Sequence, residues 1–166
     1  MDTRPITDMI KEALFNVIGS NIGGASLLDL FAGSGSVGIE ALSRGARPVV
    51  FIDNSHNAVR VIRENLHSCG FGEGFELYRN DVFRAMEILA RRKTKFDYIY
   101  ADPPFTVETI FNPLVEALDR SSLLVPEGSL IVRSPKRMSL TLELSSLKEY
   151  RANNYGESTL HYYHLV

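Results

Sequence analysis

An open, doubly wound α/β sheet, mostly parallel with an antiparallel C-terminal strand, is the fold class that this 166-residue sequence predicts. Three observations carry that expectation. Apolar runs of strand length alternate along the chain with amphipathic runs of helix length, which is how repeated strand–helix–strand units read in sequence. After the fifth such strand the pattern changes: LKEYRANN and STLHYYHLV flank Tyr155-Gly156 with little helix between them, so an antiparallel pair is expected to finish the sheet. No internal repeat and no linker-like break interrupts the series. A single domain over residues 1–166 is therefore expected, with residues 1–19 as a helical segment packing near the pocket.

The elements follow in order. ITDMIKEALFNVIG reads as a helix: Thr7 or Asp8 can cap it, Ile10, Leu14, Phe15 and Ile18 form one apolar stripe, and Gly19 ends it. SLLDLF is a buried strand, and SVGIEALSRG a helix stopped by Gly45. PVVFID is the next strand, and SHNAVRVIRENLHSCG a helix ending at Gly70. FELYR and DVFRAMEILARR give the third strand and its helix, and FDYIYAD the fourth strand. VETIFNPLVEALDR is mostly helix, with Pro113 in an early turn or at a kink. GSLIVRS is the fifth strand.

Bulk properties exclude several classes. The longest apolar runs are strand-length, so no segment is expected to span a membrane. MDTRPITD lacks the features of a signal peptide, and a lone cysteine, Cys69, fits a reducing cytoplasm. Eighteen Lys and Arg against twenty Asp and Glu give a net charge of −2, so any surface for nucleic acid must be local. A monomer is expected.

In doubly wound sheets, ligands bind beyond the carboxyl ends of the strands at the topological switch point. Four segments fall on that edge: FAGSGS after the first strand, Asp53 and Asn54 at the end of the second, Asn80-Asp81 after the third, and Asp102-Pro103-Pro104-Phe105 after the fourth. FAGSGSVG contains G-x-G-x-x-G from Gly33 through Gly35 to Gly38, and Asp53 lies 20 positions after Gly33. That spacing also suits a dinucleotide, with Asp53 on a ribose, so a nicotinamide-dependent oxidoreductase stays open. Asp29, four positions before Gly33, argues against it, because a carboxylate repels a pyrophosphate and attracts a cation. S-adenosyl-L-methionine, with product S-adenosyl-L-homocysteine, fits better: it has an ammonium, a ribose and no phosphate. Asp29, Phe31, Gly33, Gly35, Asp53, Asn54, Asp81 and Val82 are the candidate cofactor-binding residues, and Asp81 can equally be a helix N-cap. No metal ligands are expected.

Asp102, Pro103, Pro104 and Phe105 are the candidate catalytic residues. Prolines stiffen the turn and remove N–H donors, which leaves carbonyls without strand partners. The Asp102 carboxylate and the Pro103 carbonyl then offer two acceptors for the two N–H bonds of an exocyclic amine, and Phe105 offers a face for a base. A nucleobase amine is a poor nucleophile because its lone pair is delocalised. Holding it in line with a sulfonium methyl is a task of orientation and electrostatics.

Taken together, RPITDMIKEALFNVI, LLDLFAGSGSVGIEALSRGA, FIDN, ND, YADPPF and the closing YGESTLHYY resemble the RsmD-like family of bacterial small-subunit rRNA guanine-N2 methyltransferases. The resemblance implies a class I, Rossmann-like fold and transfer of a methyl from S-adenosylmethionine to the N2 amine of a guanine in small-subunit (16S) rRNA, within an assembling 30S particle. It also implies that Arg4 to Asp8 lie near the pocket. Members of that family carry a basic, Gly-containing β segment ahead of the RPT-D motif, whereas this chain begins almost at the motif, which leaves its affinity for RNA open. The same chemistry on adenine N6 or on a protein glutamine, and an inactive cofactor-binding assembly factor, are the other readings.

Two basic clusters remain. Arg91 to Lys95 leads into the fourth strand and is expected at the far edge of the sheet as a solvated face. Arg133, Lys136 and Arg137 follow the fifth strand on the pocket edge and are candidate phosphate contacts. His56, His67, His161 and His164 lack metal-ligand spacing and are read as surface or packing residues. The tyrosines Tyr98, Tyr100, Tyr162 and Tyr163 are read simply as strand residues.

Overall fold

The computed structural model describes residues 5–136, 138, 140 and 143–166. Among these residues the chain forms helices α1 (Asp8–Ile18), α2 (Ser36–Ser43), α3 (His56–Ser68), α4 (Val82–Arg91) and α5 (Phe111–Arg120). The strands are β1 (Leu27–Leu30), β2 (Val49–Asp53), β3 (Phe75–Arg79), β4 (Phe96–Ala101), β5 (Leu124–Pro135), β6 (Leu147–Tyr155) and β7 (Ser158–Leu165). They join one sheet in the order β3-β2-β1-β4-β5-β7-β6. Strands β1 to β5 pair in parallel, and β7 runs antiparallel to both β5 and β6.

The two faces of the sheet explain the alternation in the sequence. Leu28, Leu30, Val50 and Ile52 point to one core layer with α4 and α5. Leu27, Val49, Phe51 and Tyr100 point to the other, with α1, α2 and α3. A fully buried side chain of this size contributes about 1.5–3 kcal/mol, so both layers are needed. Close packing of α2 on β2 depends on Gly38: a Cβ there would come within 2.2 Å of the Phe51 ring.

Local signals act as expected at α1. The Thr7 hydroxyl accepts the Ile10 N–H at 3.2 Å, and Asp8 becomes the first helical residue, where negative charge suits the helix dipole. Pro113 lies in the first turn of α5, where its missing N–H costs no helical hydrogen bond. The residues before it form a short 3₁₀ turn, Glu108–Ile110, rather than the start of the α-helix.

Strand β5 differs most from its sequence reading. It begins at Leu124 rather than Gly128 and runs to Pro135. A register shift between Phe96 and Tyr98 in its pairing with β4 absorbs the Pro126-Glu127-Gly128 stretch that reads locally as a turn.

The switch point lies between β1 and β4. The chain winds outward from β1 to β3 on one side and resumes with β4 on the other. Leu30 pairs with Ile52 and with Ala101, so Phe31, Asp53 and Asp102 lie at one level at the strands' carboxyl ends. Ala101 pairs with Val132, which sets Arg133 beside Asp102.

Candidate active site

A cavity of about 670 Å³ opens at that edge. Asp29, Phe31, Gly33, Asp53, Asn54, Asp81, Val82 and the whole Asp102–Phe105 turn line it. Of the residues expected there from sequence, Gly35 is the exception. It sits at the N-cap of α2 with φ 80°, and a Cβ would meet the Ile62 side chain at 3.2 Å. Gly35 therefore turns the chain and seats α2 against α3, and it does not face the cavity.

The bend after β1 is a held, strained backbone. Phe31 has φ 59°, in the left-handed region that a bulky side chain rarely adopts. The next residue ties down the bend, because the Ala32 N–H donates to the Ile52 carbonyl at 3.0 Å. Asp53 braces the other side: one oxygen accepts the Gly33 N–H at 2.9 Å and the other accepts the Ser55 N–H at 2.9 Å. Each Asp53 oxygen keeps a further lone pair that a ligand hydroxyl could meet. From α3, the Asn65 side chain donates to the Ser34 carbonyl at 2.9 Å and fixes the loop's crest.

Asp29 is 1% exposed, and its carboxylate accepts the Gly38 N–H at 3.1 Å. Burial pushes this carboxyl well above its ordinary range; the Gly38 N–H opposes the rise, and Asp102 and Asp53 nearby add to it. The contact bears on the ligand. A pyrophosphate at a glycine-loop helix uses the free N–H groups of its first turn, and here one of them is already spent on a carboxylate. Asp29, Asp53, Asp81 and Asp102 line the cavity, and none of its described lining residues is Lys or Arg. Such a field suits a cation. The donor set therefore fits S-adenosylmethionine, with its ammonium and sulfonium, and not a nicotinamide dinucleotide. Asp81 is exposed and caps α4, accepting the Arg84 N–H at 3.0 Å, while it also faces the cavity.

The Asp102–Phe105 turn is more elaborately supported than the sequence suggests. The Pro104 carbonyl accepts the Val107 N–H at 3.3 Å, whereas that of Pro103 takes no part in this turn. Arg133 Nη1 donates to both Asp102 oxygens, at 3.0 and 3.1 Å, and the Tyr100 hydroxyl donates to Oδ2 at 3.1 Å. Burial lifts the Asp102 carboxyl to about 6, with the Arg133 charge, its hydrogen bonds and the Tyr100 hydroxyl pulling the other way. The Arg133 guanidinium also lies 4.9 Å from the centroid of the Phe105 ring.

These contacts correct one expectation. Arg133 is not a phosphate contact: its side chain is 5% exposed, lies within β5 and is committed to Asp102. Lys136 is exposed just past β5. Arg4 and Arg137 lie outside the described residues. Tyr100, read from sequence simply as a strand residue, lines the cavity and donates to Asp102. Its signal was present, since residues two apart on a strand share a face and Tyr100 precedes Asp102 by two. Pro5 and Ile6, ahead of α1, also line the cavity. Away from it, His161 sits between Glu149 (2.7 Å) and Ser134 (2.9 Å) as a packed polar link, and His164 lies against Tyr150.

An open sheet of this order, with a carboxylate-lined cavity at its switch point, is the class I, Rossmann-like fold of S-adenosylmethionine-dependent methyltransferases. The chain belongs to the family described as "Conserved hypothetical protein 95", whose sequence model matches residues 1–164. It is 36% identical over 154 residues to "Putative rRNA methyltransferase YlbH" of Bacillus subtilis, covering 93% of this chain and 83% of that protein. It is 33% identical over 131 residues to "Ribosomal RNA small subunit methyltransferase D" of Escherichia coli K12, covering 79% of this chain and 64% of that protein. Among solved structures, "Putative methyltransferase yhhF" of Escherichia coli superposes with a TM-score of 0.84 at 28% identity, covering 98% of this chain and 88% of the other.

Proposed function

We propose that this chain transfers a methyl group from S-adenosylmethionine to the N2 amine of a guanine in small-subunit rRNA, presented on an assembling particle. One observation carries the reading: the glycine bend and the Asp102–Phe105 turn line a single cavity, so a cofactor on one and a base on the other meet. The names of the two relatives, both of which refer to rRNA methylation, support RNA as the substrate.

In this reading Asp29 faces the cofactor's ammonium, Gly33 and Phe31 let it pass along the backbone, Asp53 and Asn54 hold its ribose, and Asp81 with Val82 bounds the adenine. The cofactor supplies an electrophilic methyl on a sulfonium. Asp102 and the Pro103 carbonyl accept the two N–H bonds of the target amine and aim its lone pair. Phe105 stacks on the base, a contact of about 1–3 kcal/mol. The surplus proton leaves the methylated amine for Asp102 or water. Most of the acceleration comes from orientation and fixed acceptors, because a neutral amine and a cationic methyl develop no new charge that needs a metal.

The test is incubation of the chain with labelled cofactor and either naked small-subunit rRNA or immature subunits, followed by mapping of the modified base. Label on a guanine N2 is the expected result. Label on adenine N6 or on protein glutamine, or none on either RNA substrate, refutes the assignment.

A further inference from the structure

We propose that Arg133, together with Tyr100, is a positioning residue for methyl transfer: it holds the Asp102 carboxylate in one orientation and backs the Phe105 ring, leaving a single acceptor site on Asp102 Oδ1 for the target amine. The inference rests on the amine-methylating reading above and adds to it the atom that receives the substrate.

The geometry begins in the sheet. Ala101 pairs with Val132, so Asp102 and Arg133 are the next residues along two neighbouring parallel strands. Arg133 reaches sideways to Asp102 and, being 5% exposed, cannot also reach solvent-borne phosphate. An ionised carboxylate has about four lone-pair sites. Arg133 Nη1 occupies one on Oδ1 and one on Oδ2, and the Tyr100 hydroxyl occupies a second on Oδ2. One remains, on Oδ1. The second N–H of an exocyclic amine then goes to the Pro103 carbonyl.

Arg133 has a second contact that a simple counter-ion would lack. Its guanidinium sits 4.9 Å from the Phe105 centroid, close enough for a cation–π contact. Phe111 meets the same ring at 6.4 Å and a tilt of 60°. Held this way, Phe105 keeps its plane while it lines the cavity. A planar guanidinium that donates from one nitrogen to both carboxylate oxygens while its face lies against a ring is a property of Arg and not of Lys. One side chain therefore fixes both parts of the base-holding turn, the acceptor and the stacking surface.

The charged and titratable groups facing Asp102 are Arg133 from β5, Tyr100 from β4 and Asp29 from β1. Burial favours the protonated acid, and the Arg133 charge, its hydrogen bonds and the Tyr100 hydroxyl oppose it. Loss of the Arg133 charge would leave Asp102 protonated at neutral pH, with a donor where an acceptor is needed.

The experiment compares wild type, Arg133→Gln, Arg133→Lys and Tyr100→Phe in three measurements: S-adenosylhomocysteine binding by calorimetry, transfer rate against pH on small-subunit rRNA, and the Asp102 carboxyl titration by ¹³C NMR. For Arg133→Gln we expect cofactor affinity within twofold, kcat lower by about 100-fold, and both the acid limb and the Asp102 midpoint moved up by about one pH unit or more. Arg133→Lys should keep the acid limb near wild type and still lose kcat by about tenfold, since charge is retained and the planar donor and stack are lost. Arg133→Gln with kcat within threefold of wild type, or with an unmoved Asp102 midpoint, overturns the proposal. If Arg133→Gln does not fold, Arg133→Lys and Tyr100→Phe decide: full turnover in both overturns it, and reduced kcat at unchanged KM upholds it. A wild type inactive on rRNA, with the Asp102 midpoint still moved by Arg133→Gln, faults the rRNA reading and upholds the pairing.

Discussion

Asp102 and Asp119 are both aspartates withdrawn from water, and the protein treats them in opposite ways. Asp119, near the end of α5, accepts the Ser145, Ser146 and Leu147 N–H groups and the Ser145 hydroxyl, all at 2.8–3.1 Å. Burial works against its ionisation, but these donors more than offset burial and leave the carboxyl below its ordinary value. Asp102 has a full positive charge and a hydroxyl beside it, yet burial still lifts it to about 6. Backbone N–H groups converging on a carboxylate make a fixed clamp, here pinning the start of β6 to α5. A carboxylate held only by side chains, at the lip of a cavity, stays close to its titration point and open to a ligand. The difference separates a carboxylate that holds the fold from one left at the edge of a cavity.

The contrast can be broken most directly at Asp102. Asp102→Ala should lower methyl transfer by about 10²–10³-fold, the usual loss for a removed oriented group, with S-adenosylhomocysteine binding within about threefold of wild type. A variant that stays active, measured by labelled-methyl incorporation, would remove Asp102 from the site. Asp119→Ala is expected to act on stability: three backbone donors lose their acceptor, for roughly 2–4 kcal/mol by denaturant unfolding, while turnover per folded molecule stays near wild type. If its turnover falls as far as that of Asp102→Ala with the fold intact, the two carboxylates do not divide in this way.

The pH dependence sharpens the comparison because the signs oppose. Asp119 is depressed in the fold, so the native state binds fewer protons than the unfolded chain. Its contribution is present above the unfolded carboxylate value of about 4 and disappears as pH falls through the folded value. Asp102 is raised, so its contribution is complete below about 4 and is lost as pH rises towards about 6. Relative to Asp119→Asn, wild type should lose stability on acidification; relative to Asp102→Asn, it should lose stability between about pH 4 and 6 on alkalinisation. Paired denaturation curves from below about pH 4 to above about pH 6 check both, and parallel curves would contradict the assignment. The smallest effect is expected at the surface. Lys136→Glu should weaken RNA binding severalfold and lower the salt slope by about 1, while Arg91→Glu, at the far edge, should change neither. Equal changes in a salt titration would remove the pocket-edge role of Lys136.

Elements were legible where local chemistry decides. Thr7 caps α1 because its hydroxyl accepts a free N–H of the first turn, and Gly19 ends it at a positive φ that glycine adopts freely. The sheet's two faces were legible because side chains alternate along a strand. The site was legible as four segments at strand ends, since the parallel topology sends all of them to one edge. The packing of Gly35 against Ile62 was not legible, because two glycines of one loop look alike in sequence and the contact joins residues far apart in the chain. Arg133 was misread because a cation near a strand end reads as solvent-facing.

By itself, then, the sequence determined the order and kind of the elements, the edge at which ligands bind, and the residue types that meet there. These depend on periodicity, turn residues and spacing, all of which are local along the chain. Tertiary structure alone decided that Arg133 and Tyr100 close around Asp102, that Asp29 takes up the Gly38 N–H, and that Asp119 gathers the start of β6. Each of those contacts joins residues whose proximity comes from strand register or from helix packing on the sheet. A carboxylate's charge state depends on the burial and donors that register and packing supply, and neither is written in its neighbours along the chain.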